Sequence, residues 1–140
     1  MADLTGGTGV IASGMGVAEP ETVRLTIPAA LEFVRIARLT ASGVATRIGF
    51  DVEEIEDLRV AIDELSSILV EAANGGDLEL VFTSRSDGLA MEGTVAFSGS
   101  PGEYAIDDLT KQILAAVVDE YGVEAQSGTA RFRCFKRLSN

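Results

Sequence analysis

One stretch constrains the fold more than any other: "FDVEEIEDLRVAIDELSSILVEAA", Phe50 to Ala73. Asp51 is a good helix N-cap, Glu54 three residues later completes a capping box, and Phe50 and Ile55 are placed for a hydrophobic staple. Leu58, Ile62, Leu65, Leu69 and Ala72 then recur on one face at helical spacing. The pattern predicts a long helix ending near Asn74-Gly75-Gly76. A helix with one apolar stripe must bury it, so the rest of the chain has to supply an apolar partner surface.

The flanking segments supply it. Val23 to Ile27 ("VRLTI") alternates and reads as a first strand. Pro28 suits the first turn of a helix, which predicts helix one from about Ala29 to Ile48 with Gly49 as its stop. Leu78 to Thr83 alternates, Asp87-Gly88 makes a turn, and Leu89, Met91, Val95 and Phe97 alternate again, a hairpin. "SGSPGEY" reads as a loop. Asp107 or Asp108 caps a third helix, with Leu109, Ile113, Val117 and Tyr121 on its buried face and Gly122 at its end. Val123 to Gln126, a Ser127-Gly128 turn and Ala130 to Arg137 form a last hairpin. Strands that arrive in hairpins pair antiparallel. The expected fold class is therefore α/β (α+β), a two-layer sandwich with a mostly antiparallel sheet and three helices on one face. Residues 1–20 ("GGTGVIASGMG" within them) read as a flexible tail, and residues 21–140 as one domain. The glycines of the tail are not a nucleotide loop, because no strand precedes them and no Gly-Lys-Ser/Thr follows.

Composition narrows the function. A chain of 140 residues fits one sizeable core. Its net charge of −11 repels phosphate backbones and anionic lipid, so no direct nucleic-acid or membrane binding is expected; a basic protein partner suits it better. There is no histidine, which removes His-based triads and His metal sites. Cys134 is the only cysteine, so no internal disulfide can form and a cytoplasmic setting is expected. No apolar run reaches a membrane span, and the N-terminus lacks a signal-peptide pattern. Cys134 alternates with Phe132 and reads as a small core residue. Arg131, Arg133, Lys136 and Arg137 make the last strand basic; they either bind an anion or offset carboxylates across the sheet.

Within the long helix, Glu64 flanks the apolar stripe, in one row with Asp57 and Glu71. From spacing alone it is either a solvated edge or the remnant of an active site. The run "VEEIEDLRVAIDELSSILVEAA" resembles the first signature helix of the histidine-kinase-like (GHKL or Bergerat) ATPase fold, and more closely that of anti-sigma factors of the RsbW and SpoIIAB type. "LTIPAALEFVRIARLTASG" and "GTARFRCFKRL" extend the likeness over about residues 22–138, closest to the actinobacterial UsfX type. In that family a Glu-x-x-x-Asn places a general base and a magnesium ligand. Glu64 matches the Glu; Ile68 stands where the Asn belongs. The family's second signature, Asp-x-Gly-x-Gly, holds adenine. Here the matching stretch is "SGSPG", with Ser98 at the Asp position and Gly102 at the final Gly. The phosphate lid is not recognisable, and Asp107 and Asp108 put negative charge where phosphates would lie.

The resemblance thus implies a site with a relic base, Glu64, and degenerate positions Ile68, Ser98 and Gly102. It implies no cofactor, or ATP with magnesium if the site still functions. It also implies partners: a sigma factor, a competing anti-anti-sigma protein of the STAS type, and a second copy in a homodimer. Arg38 falls on the family's partner-contacting arginine, and Arg35 lies one turn before it. Arginine's planar fork pairs well with carboxylates at interfaces, although both residues could simply solubilise the helix. Three functions follow: a sigma-sequestering anti-sigma factor, an ATP-dependent serine kinase acting on an anti-anti-sigma protein, or a dimeric scaffold or sensor with neither activity.

Overall fold

The computed structural model describes residues 20–73, 75–98 and 106–139. Strand β1 is Glu21–Pro28. A short 3-10 turn, Leu31–Phe33, leads into α1 (Val34–Ile48), followed by α2 (Val52–Ala72), β2 (Asp77–Arg85), β3 (Gly88–Ala96), α3 (Asp108–Val117), β4 (Glu120–Gln126) and β5 (Thr129–Arg137). The five strands form one sheet in the order β1-β2-β3-β5-β4, and every neighbouring pair is antiparallel. The helices pack on one face, so the expected two-layer α+β sandwich is the fold.

Helix α2 is the part the local rules describe best. The Asp51 carboxylate accepts the Glu54 N–H at 2.8 Å, and Glu54 accepts the Asp51 N–H at 2.8 Å. Phe50 and Ile55 both join the core. Leu58, Ala61, Ile62, Leu65 and Leu69 are fully buried; Ala72 is half-buried at the end of the stripe. Against them lie the inward residues of the sheet: Ile27, Leu78, Leu80, Phe82, Leu89, Met91, Val95, Phe132 and Cys134. Gly93 makes room for the largest of these. A Cβ there would stand 2.3 Å from the Phe132 ring, closer than carbon atoms can approach. Burial pushes the Cys134 thiol up to about 12, against a backbone hydrogen bond with Met91 that lowers it, so Cys134 is an inert core residue.

Four local expectations are corrected. Pro28 closes β1 instead of opening α1; it pairs in register with Asp77, and an edge strand can end on a residue without an N–H. Helix α1 therefore begins at Val34, after an extended Ala30 and the 3-10 turn, and stops as expected at Gly49, whose φ of 100° is left-handed. The β2–β3 turn is Ser86-Asp87, and Gly88 already belongs to β3. Helix α3 ends at Val117, and Tyr121 and Gly122 lie in β4. Its buried side carries Ile113, Leu114 and Val117, while Leu109 is 67% exposed. A row of i+4 steps drifts by about 40° per step around a helix, so Leu109 and Tyr121 could not share one narrow face. Asp107 is the N-cap of α3, with its carboxylate accepting the Thr110 N–H at 2.8 Å.

Candidate functional site

Glu64 and Ile68 lie one turn apart on α2, on the row that also carries Asp57. That row faces α3. Lys136 of β5 reaches both Asp57, at 3.3 Å, and the Val117 carbonyl at the end of α3, at 2.9 Å. Glu64 is half-buried. Ile68 is partly buried and packs against the core. Ser98, exposed, follows Phe97 at the end of β3. Phe97 bridges to Ala73 at the C-terminal end of α2 and donates its N–H to the Gly128 carbonyl at 3.0 Å. The fold thus carries Ser98 to the end of α2 nearer Ile68 than Glu64. Gly102 and the rest of "SGSPG" after Ser98 lie outside the described residues, as does nearly all of the stretch 1–20 read as a tail.

Arg38 and Arg35 occupy a different side of the molecule. Asp63 is the neighbour of Glu64 in sequence, but one residue turns a helix by about 100°, so it points towards α1. There Arg38 Nη1 donates to both Asp63 oxygens, at 2.8 and 2.7 Å. The pair is about one-third exposed, with side-chain exposures of 32% and 38%. Arg38 is therefore held in place by α2. Its Nε and Nη2 donate to nothing among the described residues. Arg35, one turn earlier, is exposed. The structure does not bring these arginines to Glu64; they belong to the outward face of α1.

That face holds residues the sequence reading passed over. Helix α1 buries Val34 and three alanines, Ala37, Ala41 and Ala45. Val44 and Ile48 also pack partly against the core, whereas Ile36 and Leu39 point outward. Leu39 is 66% exposed, Ile36 39%, and Leu31, in the turn that leads into the helix, 53%. Leu31, Arg35 and Leu39 follow one another at four-residue steps, with Ile36 beside them. The signal was present in the sequence: these positions do not share the row of the three alanines.

No family model matches the sequence. The fold is found in a crystal structure of the RsbU and RsbW domains of a Mycobacterium tuberculosis protein. It is 18% identical, has a TM-score of 0.68, and covers 86% of this chain and 32% of that one. That likeness places the chain in the histidine-kinase-like ATPase fold class. In sequence it is 43% identical over 70 residues to "Serine-protein kinase RsbW" of Halalkalibacterium halodurans, covering 49% of this chain and 43% of the relative. It is 40% identical over 74 residues to the protein of that name from Bacillus cereus, covering 51% and 46%. The chain is thus similar to RsbW proteins in sequence over about half of its length and shares its fold with a structure that contains an RsbW domain. It spans less than half the length of the curated relatives it matches.

Proposed function

We propose that this protein is an anti-sigma factor that holds a sigma factor against the outward face of α1. The observation that carries the proposal is the exposed apolar face of that helix and the turn before it. It hides alanines and shows Leu31, Ile36 and Leu39 around Arg35 and Arg38. Burying a leucine is worth about 1.5–3 kcal/mol, so Leu31 and Leu39 left in solvent are available for burial by a partner. Apolar anchors beside arginine are the composition of a protein interface centre. Arg38, fixed by Asp63, offers its remaining N–H groups in a set direction. The likeness to RsbW proteins supports the choice of a sigma factor as the partner and a STAS-type anti-anti-sigma protein as its competitor.

In this reading the ATP site is degenerate. Magnesium takes oxygen ligands, and Ile68 has none to give. Ser98 offers adenine an uncharged hydroxyl instead of a carboxylate. The residues at these positions do not fit Mg·ATP. The half-buried Glu64 and the relatives' kinase name favour a second reading, an ATP-dependent serine kinase acting on an anti-anti-sigma protein.

One experiment separates the readings: titration of the purified chain with alternative sigma factors, with and without Mg·ATP, alongside phosphate transfer to a STAS protein. Sigma binding that needs no nucleotide, with no transfer, is the expected result. Transfer that vanishes in Glu64→Ala would establish the kinase instead.

A further inference from the structure

The outer face of the sheet, opposite the helices, differs in charge from everything else in the protein. Strand register places Arg24, Val81, Glu92, Arg133 and Gly122 in one outward row, and Thr26, Glu79, Thr94, Arg131 and Glu124 in another. Arg85, Gly88 and Arg137 form a third row. Five arginines (Arg24, Arg85, Arg131, Arg133 and Arg137) meet five carboxylates (Asp77, Glu79, Glu92, Glu120 and Glu124), so the face is neutral while the chain as a whole carries −11.

The arginines are not consumed by these carboxylates. The ion pairs among the described residues join Arg38 to Asp63, Arg47 to Glu21, Arg59 to Glu56 and Lys136 to Asp57. None involves the outer face, although Glu92 stands opposite Arg133 and Glu124 opposite Arg131 in register. The expectation that the basic last strand offsets acids across the sheet therefore holds for none of these side chains among the described residues; Lys136 points inward and pairs with Asp57 of helix α2.

Instead, two of the arginines cover a ring. The guanidinium carbons of Arg85 and Arg137 lie 5.4 and 5.8 Å from the centroid of Phe135, which is 7% exposed although it points outward. Gly88, between them, permits this: a Cβ there would sit 2.8 Å from the tip of the ring and 2.2 Å from the Lys136 carbonyl oxygen. Beside the ring, a hollow of about 270 Å³ opens between Arg85, Glu92, Glu120, Arg133 and Phe135. Ala90, with its small side chain, is part of its lining.

We infer that this outer sheet face, centred on Arg85, Arg133, Phe135 and Arg137, is a docking surface for an acidic polypeptide segment. Guanidinium groups pair with carboxylates through two parallel hydrogen bonds, and those of Arg131 and Arg133 have no carboxylate partner among the described residues. Residues two apart on β5 are spaced at about 6.6–6.8 Å, the spacing of alternate side chains in an extended segment laid beside it. Phe135 and the arginine stems give such a segment apolar contact as well. The interspersed Glu92, Glu120 and Glu124 and the acidic remainder of the chain oppose a polyanion of uniform charge, such as duplex nucleic acid with one charge per about 1.7 Å. The inference does not depend on the role proposed for α1.

The test is fluorescence anisotropy of the full chain with a labelled peptide of alternating Glu and Ala, about twelve residues long to span a strand of the sheet. A saturable rise is expected, weakened at least about tenfold by Arg131→Glu/Arg133→Glu and unchanged by Arg35→Glu on α1. The milder Arg131→Gln/Arg133→Gln pair, with its thermal unfolding measured, reports the loss should the charge reversal impair folding. No rise up to about millimolar peptide, or a rise indifferent to these substitutions, would overturn the inference. So would tighter binding of duplex DNA, or a self-association lost in the same variants, which would make nucleic acid or a second copy the occupant.

Discussion

Helices α1 and α2 lie side by side on the same sheet and obey opposite rules. Helix α2 buries Leu58, Ile62, Leu65 and Leu69 and fixes its start with a capping box. Helix α1 buries Ala37, Ala41 and Ala45 and leaves Leu39 and Ile36 in solvent, with no side-chain cap at its N-terminus. One helix is built for the fold. The other seats itself mainly through alanines, with Val34, Val44 and Ile48, and turns Ile36 and Leu39 outward. The contrast separates stability from binding, and substitutions can break it.

The largest effect belongs to the core of α2. Leu65→Ala should cost about 2–5 kcal/mol by urea unfolding, whereas Leu39→Ala on α1 should stay within about 0.5 kcal/mol. Equal losses would mean that α1 is an ordinary core helix. Next is the alanine seam: Ala41→Leu inserts bulk where the helix lies close against its neighbours and should cost about 1–3 kcal/mol. If it were neutral, the alanines would not be what seats α1.

The cap of α2 comes third. Asp51→Ala should cost about 1 kcal/mol. Glu54 adds a pH signature: hydrogen bonds from the Ser139 hydroxyl and the Asp51 N–H hold its carboxyl below the usual range. A folded-state value below the unfolded one gives stability that is present above the ordinary carboxylate pKa and lost as pH falls through the folded value. Unfolding free energy should thus drop between about pH 5 and pH 3, and drop less steeply in Glu54→Gln. An unchanged slope would remove Glu54 from the acid response. The smallest effect is the bridge between the two helices. A double-mutant cycle on Arg38 and Asp63, both about one-third exposed, should give about 0.2–1 kcal/mol, so the pair serves to orient Arg38 more than to stabilise the fold.

What the sequence disclosed follows the same divide. Helix α2 was legible from Asp51 to Leu69 because caps and apolar periodicity are local. The order of all eight elements was legible for the same reason. The start of α1 was not, because Pro28 is equally at home at a helix start or a strand edge, and pairing with Asp77 decides between them. The face of α3 was misjudged because Tyr121 belongs to a strand whose partner, β5, comes later in the chain. At the candidate site, Glu64 and Ile68 could be placed on one helix row from spacing. The Arg38–Asp63 contact could not, since 25 residues and a helix packing angle separate its partners.

The central claim is that α1 is a binding helix, and it is tested most directly by charging its apolar face. Leu39 on α1 and Leu109 on α3 are exposed to the same degree, 66% and 67%, so one controls for the other. Affinity for a sigma factor that binds the native chain should be measured calorimetrically for Leu39→Asp and Leu109→Asp. The account predicts a loss of about tenfold or more for Leu39→Asp and none for Leu109→Asp, with both variants folded. Equal affinity in the two variants would contradict it.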